Sequence, residues 1–179
     1  MSSNNSKLIR MVLAAFFLAT ALLLPFLTGQ IPEIGGMLCP MHLPVLLCGF
    51  FCGPWYGFVI GLIAPIFRFF LFNMPPIFPT GVSMSIELAF YGLTAGIMYK
   101  ILPPKKICVY ISLFVAMIVG RIMWGLSRLV LMGLGKIDFG FEIFITESIS
   151  KAVPGIILQI ILAPLLVISL KKIHKSPPV

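Results

Sequence analysis

The chain has 179 residues, of which 60% are hydrophobic and 10% are charged, and its net charge is +8. Its mean hydropathy of +1.12 excludes an ordinary soluble domain, because apolar runs of about 20 residues are typical of transmembrane helices. Such runs fill nearly the whole length, and the residues left between them are too few for a soluble catalytic or nucleotide-binding domain. We therefore predict a single integral membrane domain over residues 1–179.

Six helices are predicted from these apolar runs. The first is too long for a usual signal-peptide core, and no convincing cleavage site follows it, so we expect it to be retained. Gly53 and Pro54 predict a tight turn between the second and third helices, and the second helix is short for a bilayer. The predicted limits are about 8–27, 41–52, 55–72, 81–100, 107–134 and 147–170.

The basic residues indicate how the bundle is oriented. An even number of helices puts both termini on one side, and eight basic residues fall in segments on that side, whereas the opposite loops hold two. An excess of lysine and arginine marks the cytoplasmic side. We predict an all-α, six-transmembrane-helix bundle with both termini cytoplasmic, and no nucleic-acid partner. The eight residues are Lys7, Arg10, Lys100, Lys105, Lys106, Lys171, Lys172 and Lys175.

The fifth helix carries an unusual polar stripe. Arg121 and Arg128 are seven residues apart with Trp124 between them, so all three share one helix face. An arginine at the centre of a membrane helix costs roughly 2.5–3.5 kcal/mol on insertion scales. One interpretation is structural, with both arginines paired inside the bundle or reaching outward to the interface. The other is a polar pocket that receives an anionic ligand.

Further polar residues are predicted at a similar depth. With the termini cytoplasmic, Arg68 on the third helix and Glu87 on the fourth both fall in the outer half of the membrane. We predict that they converge with the stripe on the fifth helix beneath the outer loops, with Glu87 holding one arginine and another arginine left for the ligand. His42 either caps the second helix or contacts a ligand under the first loop.

Other motifs indicate packing rather than chemistry. Gly49, Gly53, Gly57 and Gly61 recur every four residues and predict close helix contact. The cysteines and His42 lack the spacing of a zinc site, and no catalytic motif of a membrane protease or phosphate-binding loop of an ATPase occurs. We therefore predict no metal, no cofactor and no catalytic residues. The cysteines are Cys39, Cys48, Cys52 and Cys108.

The whole chain resembles the substrate-binding S components of energy-coupling factor (ECF) transporters. On the first helix, Ala15 and Ala19 match the Ala-x-x-x-Ala motif of that family. The segment from Gly49 to Gly57 is similar to its Gly/Pro-rich turn between the second and third helices. The segment 40–44, Pro-Met-His-Leu-Pro, stands where the first loop enters the second helix.

The resemblance implies a multi-pass subunit in a prokaryotic cell membrane that captures a vitamin near the outer face. It further implies docking on a module of one transmembrane subunit and two ATPases, with Ala15 and Ala19 at the contact. Three intramembrane arginines and one glutamate favour an anionic vitamin, because a guanidinium can bind a carboxylate with two parallel hydrogen bonds. Pantothenate fits best; folate, cobalamin and hydroxymethylpyrimidine remain alternatives. A stand-alone membrane enzyme or scaffold is the alternative of another class.

Overall fold

The structure is a computed structural model that describes residues 3–28, 38–103, 105–135, 140, 146 and 153–173. It is all-α over those residues, without a strand among them. Its long helices lie close to the predicted limits, except that α1 begins five residues before the apolar run, because the polar residues after Ser3 continue the same helix. The first six residues of the predicted last helix, 147–152, lie outside the described residues. They are α1 (Ser3–Leu23), α2 (His42–Cys52), α3 (Pro54–Phe72), α4 (Val82–Ile101), α5 (Lys106–Gly133) and α6 (Val153–Ile173).

Four helical stretches are long and apolar enough to cross a membrane, as expected of a multi-pass membrane protein. They are Asn5–Leu27, Pro54–Phe72, Ile77–Ile101 and Lys106–Gly133. Helix α2 has only 11 residues, and the apolar part of α6, Val153–Ser169, is also shorter than a full span. Six spans and cytoplasmic termini therefore stay predictions. The four acidic loop residues of the charge argument, Glu33, Asp138, Glu142 and Glu147, lie outside the described residues.

Two prolines and a glycine set the end of α1 and the turn between α2 and α3. Pro25 has no N–H to donate to the carbonyl of Ala21, and α1 accordingly gives way to the 3₁₀ segment Leu24–Thr28. Gly53 has φ +106°, which only glycine adopts readily, and Pro54 then begins α3. The resulting sharp reversal lays α2 and α3 side by side.

Helix α4 is the centre of the bundle and packs against α2, α3 and α5. Glycines let their backbones meet: a methyl group at Gly92 would overlap Gly57, and one at Gly49 would overlap Gly92. Near the turn, a methyl group at Gly96 would stand 2.6 Å from the Pro54 backbone. We call Gly49, Gly57, Gly61, Gly92 and Gly96 the glycine seam. The predicted close packing at this spacing is thus confirmed on α2 and α3, with α4 as the partner.

Candidate functional site

A buried carboxylate joins three helices at the end of α2 and α4 away from the Gly53 turn. Glu87 of α4 is 3% exposed, and its Oε1 lies 3.0 Å from Arg121 Nη1 of α5 and 3.3 Å from His42 Nε2 of α2. Such a carboxylate inside an apolar bundle is tolerated only with opposite charges close by. The predicted pairing of Glu87 with one of the intramembrane arginines is therefore present, and that arginine is Arg121.

Two further side chains surround this group. Arg121 Nη2 donates a weak hydrogen bond to Cys39 Sγ at 3.9 Å. The Tyr91 ring meets the His42 ring edge-on, with centroids 5.0 Å apart. Tyr91 lies one turn after Glu87 on α4, so both project from the same face. We call His42, Glu87, Tyr91, Arg121 and Cys39 the polar cluster.

The second arginine of α5 continues the cluster along that helix. The guanidinium of Arg128 stacks over the Trp124 ring, 5.2 Å from its centroid, and its charge acts on Glu87. Arg121, Trp124 and Arg128 thus follow one another along α5 toward the same end of the bundle. Two guanidinium groups therefore lie along one face of α5 at this end of the bundle.

Arg68 lies in a different setting. Its Nη1 donates to the Leu22 carbonyl of α1 at 2.5 Å, and its guanidinium lies 5.4 Å from the ring centroids of both Phe26 and Phe72. Leu22 is in the last turn of α1, where the 3₁₀ segment leaves carbonyl groups without their helical donors. These contacts tie α1 to α3 and do not bring Arg68 to Glu87 within the described part of the chain. Its role in ligand binding stays a prediction.

His42 does not cap its helix through the side chain. It is the first residue of α2, where its backbone N–H bonds the Cys39 carbonyl at 3.1 Å, and no side-chain hydrogen bond caps this end of the helix. The imidazole instead contacts Glu87. Of the two predictions for His42, capping is wrong, because the buried carboxylate attracts the ring inward.

Polar atoms without a hydrogen-bond partner gather in this region. Among the described residues they include His42 Nδ1, the Tyr91 hydroxyl and Arg121 Nε. Buried polar atoms are nearly always paired in folded proteins, so each unpaired group needs an explanation. A polar ligand seated against the cluster would supply both donors and acceptors. Outside the long helices, burial raises the pKa of the Cys39 thiol to about 11, which makes it a poor nucleophile at neutral pH.

The alanine pair on α1 lies on the outside of the protein. Ala15 and Ala19 are exposed, whereas Ala14, Phe17 and Ala21 are buried. Because residues four apart lie on one helix face, the pair forms a shallow strip on the surface. Packing of these two alanines inside the bundle, the ordinary role of small residues in membrane helices, does not occur.

Neither a metal centre nor a disulfide is found in the part of the chain that the structure describes. No three His, Cys, Asp or Glu residues there are grouped as metal ligands, and the four cysteines are free and buried. Tyr91 and Cys39 were not among the site residues predicted from the sequence. The spacing of Tyr91, four residues from Glu87, was the available signal.

Comparison with known proteins gives one match. The family model for the substrate-specific component of ECF transporters matches residues 9–167. No curated protein and no solved structure matches the chain.

Proposed function

Because the chain belongs to the family of ECF transporter substrate-specific components, we propose that it captures a small anionic vitamin, such as pantothenate, at the polar cluster. Members of this family bind a small-molecule substrate and associate with the ECF module; the family is one of transporter components and not of enzymes. Capture on the outer side, six membrane spans and both termini in the cytoplasm belong to the proposal.

One observation carries the choice of an anion: the guanidinium groups of Arg121 and Arg128 lie along one face of α5 on either side of the buried Trp124. An anionic ligand placed there would accept charge-assisted hydrogen bonds in a low-dielectric setting. Such a charge-assisted contact contributes roughly 1.5–3 kcal/mol. A cationic vitamin would meet repulsion from both guanidinium groups.

Pantothenate is favoured within this class because it offers a carboxylate together with hydroxyl and amide groups. Those groups would match the unpaired donors and acceptors of His42 and Tyr91. Folate has the charge, but its pterin calls for more aromatic stacking than Trp124 provides. Cobalamin and hydroxymethylpyrimidine remain alternative substrates for the same kind of subunit.

The test is to identify the ligand that accompanies the purified full-length protein by mass spectrometry and then to titrate it calorimetrically. A carboxylate vitamin bound one to one is the expected result. A cationic or uncharged ligand would overturn the argument from charge. Copurification with a pair of ATPases would separate a transporter subunit from a stand-alone membrane enzyme or scaffold.

The exposed alanine strip supports a proposal for partner docking. Ala15 and Ala19 would let a helix of the ECF transmembrane subunit approach α1 closely, with two ATPases completing the module. Ala15→Trp with Ala19→Trp should abolish uptake in cells and leave the ligand affinity of the isolated subunit unchanged. Ala14→Trp is unsuitable as a control because Ala14 is buried. Leu13→Trp, on exposed α1 surface away from the strip, is the control. Normal uptake by the double variant would disprove docking at this strip.

A further inference from the structure

We propose that Tyr91 is a positioning residue that holds Arg121 against Glu87 and so fixes the geometry of the polar cluster for its anionic ligand. This inference rests on the proposed function and deepens it. It assigns part of the affinity for the anionic ligand to a residue that acts through Arg121.

The first observation is the seat of the ring. Tyr91 is fully buried at 0% exposure, and its ring lies so close to Gly120 that a methyl group there would overlap it. Gly120 immediately precedes Arg121. The ring of Tyr91 therefore sets how closely α5 approaches α4 at the residue from which the arginine side chain departs.

The second observation is that Tyr91 contacts the other partner of Glu87 as well. Its ring meets His42 edge-on at 83°, and Glu87 stands one turn away on the same helix. One side chain thus touches the segments that carry both groups paired with the carboxylate. Displacing it would shift the spacing of α2, α4 and α5 together.

The third observation concerns the hydroxyl group. It is buried beside the Arg121 guanidinium, and neither the hydroxyl nor Arg121 Nε has another hydrogen-bond partner within the described residues. The two groups are complementary, because a phenolic oxygen accepts hydrogen bonds and the guanidinium N–H groups donate them. We infer that the hydroxyl accepts from Arg121 and so holds the guanidinium against Glu87, with or without a bound ligand.

Tyr91→Phe is the decisive variant because it keeps the ring and removes only the hydroxyl. Tyr99→Phe is the matched control, since Tyr99 lies two turns further along α4, with its ring packed on Phe50. With pantothenate as the probe and the full-length protein in detergent, calorimetry should show about tenfold weaker binding for Tyr91→Phe. Tyr99→Phe should bind pantothenate as the parent protein does.

A second measurement does not depend on a ligand. Tyr91→Phe is compared in the parent and in Glu87→Gln with Arg121→Gln, where the ion pair is absent. We expect a fall in the unfolding temperature of about 2–4 °C in the parent and no further fall in the double variant. An equal fall in both backgrounds would mean that Tyr91 only packs the core, and would overturn the inference.

The outcomes separate the two levels of the argument. If the parent protein fails to bind pantothenate, the proposed ligand is wrong, and the unfolding comparison alone decides the role of Tyr91. If the parent binds pantothenate and Tyr91→Phe binds it equally well, the positioning role is wrong and the proposed function stands.

Discussion

Helices α2 and α4 are held together in two opposite ways at their two ends. Near the Gly53 turn, the glycine seam brings backbones into direct contact, as at Gly49 and Gly92. At the other end, the same helices are joined by side chains, through His42 and Glu87 at 3.3 Å. The seam leaves no room for rearrangement, whereas ion pairs and rings can adopt new positions. The comparison teaches that a bundle can be fixed at one end and adaptable at the other.

The largest effect is expected from a methyl group in the seam. Gly92→Ala would overlap the Gly57 backbone, which cannot move without separating the helices, so we expect loss of the folded protein or destabilisation by several kcal/mol. The measurement is recovery of monodisperse protein after detergent extraction. Gly133→Ala is the control, because a methyl group at Gly133 meets open space. Normal yield of Gly92→Ala would show that the seam is not rigid.

The next effect is expected at the carboxylate. Glu87→Gln leaves the partly buried Arg121 without its counter-charge; breaking a fully buried pair costs about 3–5 kcal/mol, and we expect the lower part of that range. Adding Arg121→Gln removes the unmatched charge and should restore much of the unfolding temperature. The two variants are compared by thermal unfolding of the ligand-free protein. Equal unfolding temperatures for the parent and Glu87→Gln would mean that the ion pair does not hold this end of the bundle.

A smaller effect, on affinity alone, is expected at Arg128. Arg128→Ala removes a guanidinium that the proposed anionic ligand would contact, and pantothenate binding should weaken about ten- to a hundredfold. Arg128→Lys keeps the charge without the two-pronged geometry and should recover part of the affinity. Arg68→Ala is the informative comparison, because the contacts of Arg68 with α1 lead us to expect lower stability with unchanged affinity. Weaker binding by Arg68→Ala would instead support its predicted place in the site.

The smallest effect is expected on the rate at which Cys39 is alkylated. Burial raises the pKa of Cys39 to about 11, so little thiolate exists at pH 8 and alkylation should be slow. The rate should rise steadily as the pH approaches that value, since the thiolate is the reactive form. Peptide mass mapping after iodoacetamide treatment locates the modified cysteine. Rapid modification of Cys39 at pH 7 would place it outside a buried cluster.

The packing of α2 against α4 could be predicted from the sequence better near the Gly53 turn than at the polar cluster. The helix limits, the close packing of Gly49, Gly57 and Gly61 and an arginine partner for Glu87 follow from apolar runs, residue spacing and the cost of buried charge. The choice of Arg121 as that partner depends on helix rotation, which a one-dimensional pattern fixes only coarsely. The part of the seam on α4 has no comparable signal, because Gly92 and Gly96 gain their meaning only from the helix that packs against them.

The contacts of Arg68 could not be predicted from the sequence either. Its predicted depth in the membrane resembles that of Glu87, and depth was the only coordinate available from the sequence. Its actual partner, the carbonyl of Leu22, is a backbone atom that carries no sequence signal. The break in α1 at Pro25, which leaves carbonyl groups near this point without helical donors, was the one indication available.

The contact between Arg68 and Leu22 also has a mechanical meaning. It ties the C-terminal end of α1, the helix that carries the exposed alanine strip, to α3, which is joined to α4 through the seam. A force applied to α1 from outside the bundle therefore has two outcomes: it breaks a charge-assisted bond in a poorly hydrated setting, or it carries α1 and its neighbours along as one solid body. Movement of the helices as one rigid body is the outcome that keeps this hydrogen bond.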